Sequence, residues 1–135
     1  MKKLSSIIIV LVAMVLLTGC SKNTPTAVAE KSMQCIIDKD FEAYTDLLYI
    51  EPKEGEDIEN QKKMIAAMLL GKYDSTVKKK GAIKSYEVTG EEISEDGETA
   101  VVKMKIMYDN GKEDDNETIK LRKDKDGNWK IDAGK

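Results

Sequence analysis

The chain of 135 residues contains no histidine, and it has only two cysteines, two prolines, one tryptophan and one phenylalanine. Histidine is the usual general base near neutral pH and a common zinc ligand, so its absence argues against both roles. A nucleophilic cysteine would need such a base nearby, and Cys35 is therefore interpreted as a small buried hydrophobe in a helix. These absences predict a protein without metal, without another cofactor and without catalytic activity.

The sequence also lacks an apolar run long enough to span a bilayer. Its longest apolar run, residues 7–17, has 11 residues and falls well short of the roughly 20 residues that a membrane-spanning helix needs. The run follows a basic pair and precedes two small residues and Cys20, which is the order of a secretory signal. Residues 17–20 resemble the lipobox of bacterial lipoproteins. The resemblance implies cleavage before Cys20 and attachment of lipid, with acyl chains such as palmitate, to its thiol.

These motifs divide the chain into a signal peptide over residues 1–19, a lipidated tether over 20–24 and one domain over 25–135. We expect the protein in the cell envelope, anchored to a bacterial membrane through Cys20, with the choice of membrane left open. The formal net charge of −3 includes a basic pair in the signal peptide, so the domain is more acidic still. That charge argues against nucleic acid as a partner. With Cys20 lipidated, no internal disulfide is expected.

The first half of the domain carries apolar residues at helical spacing. The pattern predicts one helix over residues 25–38, a shorter one over 40–49 and a third that starts after Asp57, each preceded by a side chain that can cap it. The third helix ends either at Gly71 or before Gly81. Its predicted inner face comprises Gln61, Met64, Ile65, Met68 and Leu69.

From residue 82 the apolar period changes to two, which predicts four strands. Asp-Gly or Asn-Gly pairs at residues 96–97, 110–111 and 126–127 separate the strands and suit tight hairpin turns. The expected fold is therefore α+β, with three N-terminal helices packed on a curved four-stranded antiparallel meander. The predicted inward positions are Tyr86, Val88, Val102, Met104, Ile106, Tyr108, Ile119, Leu121, Trp129 and Ile131.

Three segments of the chain resemble a known family. They are residues 99–103 in the long strand, 110–112 in a hairpin and 127–131 in the closing strand. The chain is similar, over roughly residues 24–132, to the lumazine-binding-like domain of unknown function in bacterial lipoproteins. That domain belongs to the nuclear-transport-factor-two-like, or cystatin-like, superfamily. The resemblance implies a sheet curled round the helices into a cone with a pocket at its open end. Related enzymes hold an acid or base inside the cone, but fold alone does not transfer activity.

A pocket at the open end of the cone is predicted to be lined by Tyr44, Tyr86, Met104, Tyr108 and Trp129. Apolar walls with a few hydroxyls suit a small apolar ligand. Because the inward positions include no carboxylate or lysine, we predict a non-catalytic binder of such a ligand or of an envelope protein. The alternatives are an isomerase-like or hydrolase-like enzyme acting on a hydrophobic substrate, and a purely structural envelope module. An inward carboxylate at Asp38, Asp40 or Asp46 would favour the enzyme.

Two acidic turns, at residues 109–111 and 124–128, partly resemble calcium loops. Neither completes the pattern. A loop starting at Asp124 would have Trp129 where glycine is required and Lys135 where a bidentate glutamate is required. The acidic run at residues 113–117 is predicted to be a solvated turn or edge that discourages strand addition.

Overall fold

The computed structural model describes residues 23–52 and 54–133. The predicted signal peptide, the lipidation site at Cys20 and Lys135 lie outside the described residues. Within the described part of the chain, no helix is both long enough and apolar enough to cross a membrane.

Three helices come first in the described chain. Each begins after a side chain, at Thr24, Asp40 or Asp57, that accepts a hydrogen bond from a backbone amide of the first turn. These bonds satisfy amides that have no partner inside the helix. All three predicted caps are confirmed. The helices are α1 (Pro25–Ile37), α2 (Phe41–Thr45) and α3 (Ile58–Lys80).

Four antiparallel strands follow and form one sheet in sequence order. The connecting turns place Gly97, Gly111 and Gly127 at positive φ angles of 74°, 88° and 81°, which glycine adopts without steric cost. The predicted α+β meander is thus confirmed. The acidic run at residues 113–117 opens the third strand, ahead of the three residues that pair with the fourth strand. The strands are β1 (Ile83–Ile93), β2 (Thr99–Tyr108), β3 (Glu113–Lys123) and β4 (Trp129–Ile131).

Helix α2 is shorter than predicted, because it ends at Thr45 instead of near Tyr49. The chain after it pairs with the edge strand β4. The Ile131 amide donates to the Leu47 carbonyl at 2.7 Å, and the Tyr49 amide donates to the Ile131 carbonyl at 2.8 Å. This segment satisfies backbone groups of β4 that would otherwise lie unpaired at the edge of the sheet.

Helix α3 continues through Gly71 and ends at Gly81, which has a φ of 94°. The Asn110 side chain, from the β2–β3 turn, donates to the carbonyl of Lys80 at 2.9 Å. A Cβ atom at residue 81 would lie 2.8 Å from that same amide nitrogen. Both the backbone conformation and the close approach therefore require glycine at the end of α3.

The predicted inner face of α3 is wrong in part. Met64 and Met68 are 72% and 54% exposed, whereas Ile65 packs against the core. No residue of α3 is fully buried. The helix is held to α2 by an ion pair of 2.9 Å between Lys62 and Asp46, and the hydrogen bond in that pair raises the pKa of Lys62.

The hydrophobic core lies between α1 and one face of the sheet. Alternate residues of β2 are buried, and Val102 and Met104 are fully enclosed. The predicted inward positions of the strands are confirmed, with Tyr86 and Val88 half-buried at the margin. The remaining core residues are Val28, Ala29, Met33, Leu48, Ala100, Ile106, Tyr108, Ile119, Leu121, Trp129 and Ile131.

A β-bulge breaks the alternation in β1. Val88 pairs with Met104, but Gly90 pairs with the adjacent residue Lys103, so one extra residue lies on β1. After such an extra residue, each side chain of the strand points to the opposite face of the sheet from the one that strict alternation predicts. Glu91 consequently points inward.

Glu91 is only 2% exposed. One of its oxygens, Oε1, accepts from the Thr26 amide at 3.1 Å and from the Thr26 hydroxyl at 2.6 Å. Those contacts satisfy the first turn of α1 and suit the positive end of its dipole. The other oxygen, Oε2, is buried without a hydrogen-bond partner in the described chain. The prediction that the inward positions include no carboxylate is therefore wrong.

Asn23, just before α1, is bound to the edge strand β4. Its side-chain amide donates to the Trp129 carbonyl at 3.3 Å, and the Trp129 amide donates to its Oδ1. A single side chain thus satisfies both backbone groups of Trp129. The chain enters the domain at the end of the sheet where β4 begins.

Candidate functional site

A cavity of about 300 Å³ opens between the three helices and one end of the sheet. It forms where α3 lies over the core without closing on it. Met33 and Ile36 come from the C-terminal half of α1, and Phe41 comes from α2. The other apolar residues of its wall are Leu69, Val77, Ile83 and Ile106.

The cavity and the entry point of the chain lie at opposite ends of the sheet. Ile83 pairs with Tyr108 at the cavity end, whereas Lys123 pairs with Trp129 at the end bound by Asn23. Strand β2 runs between the two ends over 10 residues. At about 3.3 Å per residue, roughly 30 Å separates them.

Three tyrosines, Tyr44, Tyr73 and Tyr108, line the cavity. Burial raises the pKa of Tyr44, and the nearby Cys35 and Glu117 raise it further. Burial also raises the pKa of Tyr108, partly opposed by Lys80. Both hydroxyls therefore stay protonated near neutral pH, where they donate and accept hydrogen bonds but do not act as bases.

Charged side chains from α3 and β3 also line the cavity. Lys72 and Lys80 come from one side of α3, and Glu117 comes from the facing part of β3. Within residues 23–52 and 54–133, neither lysine ammonium forms an ion pair or hydrogen bond with the protein. The apolar cavity thus has a charged opening with two cations and one carboxylate.

A second cavity of about 290 Å³ adjoins the first and shares Lys80 and Tyr108 with it. Its other walls come from Lys79, Lys112 and the acidic residues 113–116. The charges there are balanced and the site is open to solvent. The apolar cavity is therefore the better candidate for a ligand.

Of the pocket residues predicted from the sequence, the structure places Tyr44 and Tyr108 in the wall of the cavity. The other three lie elsewhere. Met104 is fully enclosed in the core, and Tyr86 is half-buried at its margin. Trp129 lies at the opposite end of the sheet, where the Lys123 ammonium is 5.2 Å from its ring centre. As a description of this cavity, the predicted set is wrong in Tyr86, Met104 and Trp129.

The sequence interpretation missed the contribution of the second half of α3. Tyr73, Thr76 and Val77 join the two lysines in the cavity wall. The Tyr73 ring packs edge-on against Phe41 with 5.9 Å between ring centres. One signal was available, since Tyr73 and Val77 continue the spacing of four residues set by Ile65 and Leu69.

The candidate acids lie outside the cavity. Asp38, Asp40 and Asp46 are exposed, and Asp40 caps α2. Glu91 is buried outside the cavity lining, opposite Val102 of β2, and it binds Thr26. Of the described residues that line the cavity, Glu117 is the one carboxylate.

Neither a thiol nucleophile nor a metal centre is assembled in the described chain. Burial and the neighbouring Asp40 raise the pKa of the Cys35 thiol, which disfavours the reactive thiolate. Among the described residues, no three cysteine or acidic side chains converge in a way that would hold a metal ion.

Comparison with known proteins gives a family and a fold. Residues 18–132 match the family described as a domain of unknown function, DUF4878. No curated protein matches the sequence.

The solved structures that resemble the chain include the following two. The first is a 2.00 Å crystal structure from Campylobacter jejuni of a protein that bears the provisional name NTF2-like transpeptidase. It has a TM-score of 0.63 and 16% identity, covering 82% of this chain and 99% of that one. The second, from Catenulispora acidiphila, has a TM-score of 0.43 and 12% identity, covering 78% and 82%. The first likeness shows an NTF2-like fold, as the sequence resemblance implied. The lumazine-binding-like and lipoprotein assignments stay predictions.

Proposed function

Since the chain belongs to the DUF4878 family of domains of unknown function and has an NTF2-like fold, we propose that it is a lipid-anchored cell-envelope protein that binds a small apolar ligand without transforming it. The observation that carries this proposal is the cavity of about 300 Å³. Its volume is at the lower limit for a small-molecule site, and such sites combine apolar walls with a few polar groups. Tyr44 and Tyr108 supply those groups.

The chemistry of the cavity favours binding over catalysis. Enzymes of acid–base type need a titratable group whose pKa suits proton transfer near the reacting atom. The tyrosine hydroxyls stay protonated, and both lysines are exposed at the opening. The buried carboxylate, Glu91, is bound to Thr26 and does not line the cavity. Glu117 is the one carboxylate among the described residues that line the cavity, and it belongs to the charged opening instead of the apolar wall. The described cavity therefore favours binding over proton transfer.

Attachment of lipid at Cys20 would orient the cavity. Three peptide units join Cys20 to Asn23, and each spans at most 3.8 Å between Cα atoms. Because Asn23 is bound to β4, the Trp129 end of the sheet would lie near the membrane. The cavity would then open on the side away from it.

Ligand binding is testable on the mature chain with Cys20→Ser. A panel of aliphatic, sterol and aromatic compounds should contain saturable binders that raise the melting temperature, since a ligand of the folded state stabilises it. Val77→Trp, which places a large ring in the cavity wall, should abolish that binding. Leu70→Trp is the matched control, because residue 70 is on the same helix but 52% exposed.

Two results would contradict the proposal. Unchanged binding in the Val77→Trp variant would exclude the cavity as the site. Recovery of a chemically altered ligand, detected by mass spectrometry, would replace a binding protein with an enzyme.

Anchoring is tested separately in cells. Cys20→Ser should abolish incorporation of a labelled fatty acid and release the protein from the membrane fraction. Cys35→Ser, which removes a buried thiol, should leave both unchanged. Labelling that persists in the Cys20→Ser variant would rule out lipid attachment at this residue.

A second candidate function, docking of an envelope protein, is favoured by the outer face of α3. Met64 and Met68 are four residues apart, so they lie on one side of the helix. Both expose more than half of their area there, and exposed methionines suit adaptable interfaces. Replacing Met64 and Met68 together by lysine should leave ligand binding intact but abolish any cross-link to an envelope protein in cells. A cross-link that survives the replacement would exclude this face.

A further inference from the structure

The charges at the opening of the cavity indicate what kind of apolar ligand it takes. Lys72, Thr76 and Lys80 lie four residues apart on one side of α3 and all line the cavity. We call these three residues the rim. At 1.5 Å per residue, the two lysines are roughly 12 Å apart along the helix, with the Thr76 hydroxyl between them. The rim thus presents two cations and a hydrogen-bond donor beside an apolar chamber.

Three lysines elsewhere in the described chain, Lys62, Lys103 and Lys105, form ion pairs with carboxylates, whereas most of its other lysines do not. Lys62 pairs with Asp46 at 2.9 Å, and Lys105 pairs with Glu113 at 3.3 Å. In the described chain, Lys72 and Lys80 have no such partner. Both cations are therefore available to a negatively charged group that enters from solvent.

Glu117 is the opposing charge, since it lines the cavity from β3. Of the charged residues that line this cavity, two carry an ammonium group and one carries a carboxylate. The carboxylates of residues 113–115 lie beyond Lys80, in the adjoining cavity.

From this arrangement we infer that the ligand is an anionic amphiphile, with its apolar chain in the cavity and its carboxylate or phosphate head between Lys72 and Lys80. The inference rests on the proposed binding function and names the ligand class for that same cavity. Each part of the ligand then meets a matching surface. The chain is surrounded by side chains such as Met33, Phe41 and Ile106, and the head remains hydrated at the rim.

The test uses ligands of equal chain length and different charge. Decanoate, decyl phosphate, decanol and decylamine are titrated into the mature Cys20→Ser chain by calorimetry at low and high salt. Decanoate or decyl phosphate should bind more tightly than decanol, and added salt should weaken the anions alone, because exposed charge pairs are screened. Comparison of the two anions distinguishes a carboxylate head from a phosphate head.

The decisive variant is Lys72→Gln with Lys80→Gln. Exposed charge pairs contribute modestly, so the double replacement should weaken anion binding about three- to tenfold and leave decanol binding unchanged. Lys63→Gln with Lys78→Gln is the matched control, because it removes the same charge from exposed positions of α3 outside the cavity. That control should retain the preference for anions.

Three results would overturn the inference. Equal affinity for decanoate and decanol, or an unchanged preference in the rim variant, would remove the anionic class but leave the apolar cavity as a binding site. Tightest binding of decylamine would show that Glu117 selects a cation. Failure of all four compounds to bind, at both salt concentrations, would overturn the inference, and failure of the sterol and aromatic compounds as well would overturn the proposed function.

Discussion

The sheet and helix α3 use their apolar side chains in opposite ways. Alternate residues of β2 are enclosed by α1 and the neighbouring strands, and Met104 has no exposed surface. Helix α3 has no fully buried residue, and Met64 is 72% exposed. The two regions therefore have different roles, since one stabilises the domain and the other encloses the cavity. The sheet and α1 form the core, whereas α3 is a wall held mainly by contacts with α2 and by the β2–β3 turn at its C-terminus.

Trp129→Ala should have the largest effect on stability. The ring is 7% exposed in the core, and truncation of a buried tryptophan costs about 3–5 kcal/mol. The free energy of unfolding from urea titration gives the value. Met64→Ala on α3 is the contrasting variant and should change it by less than about 0.5 kcal/mol, as exposed substitutions do. Equal losses in the two variants would break the distinction between core and wall.

Glu91→Ala should have an intermediate effect. The substitution leaves the Thr26 amide and hydroxyl without their buried acceptor, and an unsatisfied buried polar group costs about 1–3 kcal/mol. Glu91→Gln keeps an acceptor and should lose less. Glu92→Ala, at an exposed neighbouring position, serves as the control and should be nearly neutral. A larger loss at Glu92 than at Glu91 would place the bulge elsewhere in β1.

Gly71→Ala should have the smallest effect and the opposite sign. Gly71 lies inside α3, and an added Cβ would meet no atom within 4 Å. Replacement of glycine by alanine in such a site stabilises by about 0.4–1 kcal/mol. Gly97→Ala should destabilise instead, because Gly97 has a φ of 74° that disfavours any side chain by about 1–2 kcal/mol. Loss of stability at Gly71 would show that α3 needs flexibility there.

Local signals were sufficient to predict most of the fold. Strand alternation and the glycines at residues 97, 111 and 127 specify hairpins from a few neighbouring residues. The helix caps at Thr24 and Asp40 depend on equally short segments. These features could be predicted because each is stabilised mainly by its own sequence neighbours.

The inward position of Glu91 was missed because it depends on the bulge. Strict alternation from Val88 would place Glu91 on the solvent face, and one extra residue reverses that assignment. An isolated glycine within a strand is a known sign of a bulge, so Gly90 was the available signal. Whether the reversal occurs depends on pairing with β2, which lies outside the local sequence.

The cavity could be predicted only in part for a different reason. The apolar side of α3 is a broad strip that contains Met64, Ile65, Met68 and Leu69. Helical periodicity identifies this strip, but it does not predict which edge of the strip faces the core. Alternation along a strand likewise predicts which face of the sheet a residue occupies, but not at which end of the sheet it lies. Trp129 and Tyr108 share one face, yet they lie at opposite ends of the sheet.

The bonds between Asn23 and Trp129 also have a mechanical consequence. A tension applied to the chain before Asn23 does not act on α1 alone, because part of the load passes through the side-chain amide into β4. Strand β4 transmits it further, to β3 and to the segment around Leu47 and Tyr49. Several elements share the force, so the domain resists unravelling from its N-terminus. Asn23→Ala should therefore lower the force at which the first helix detaches.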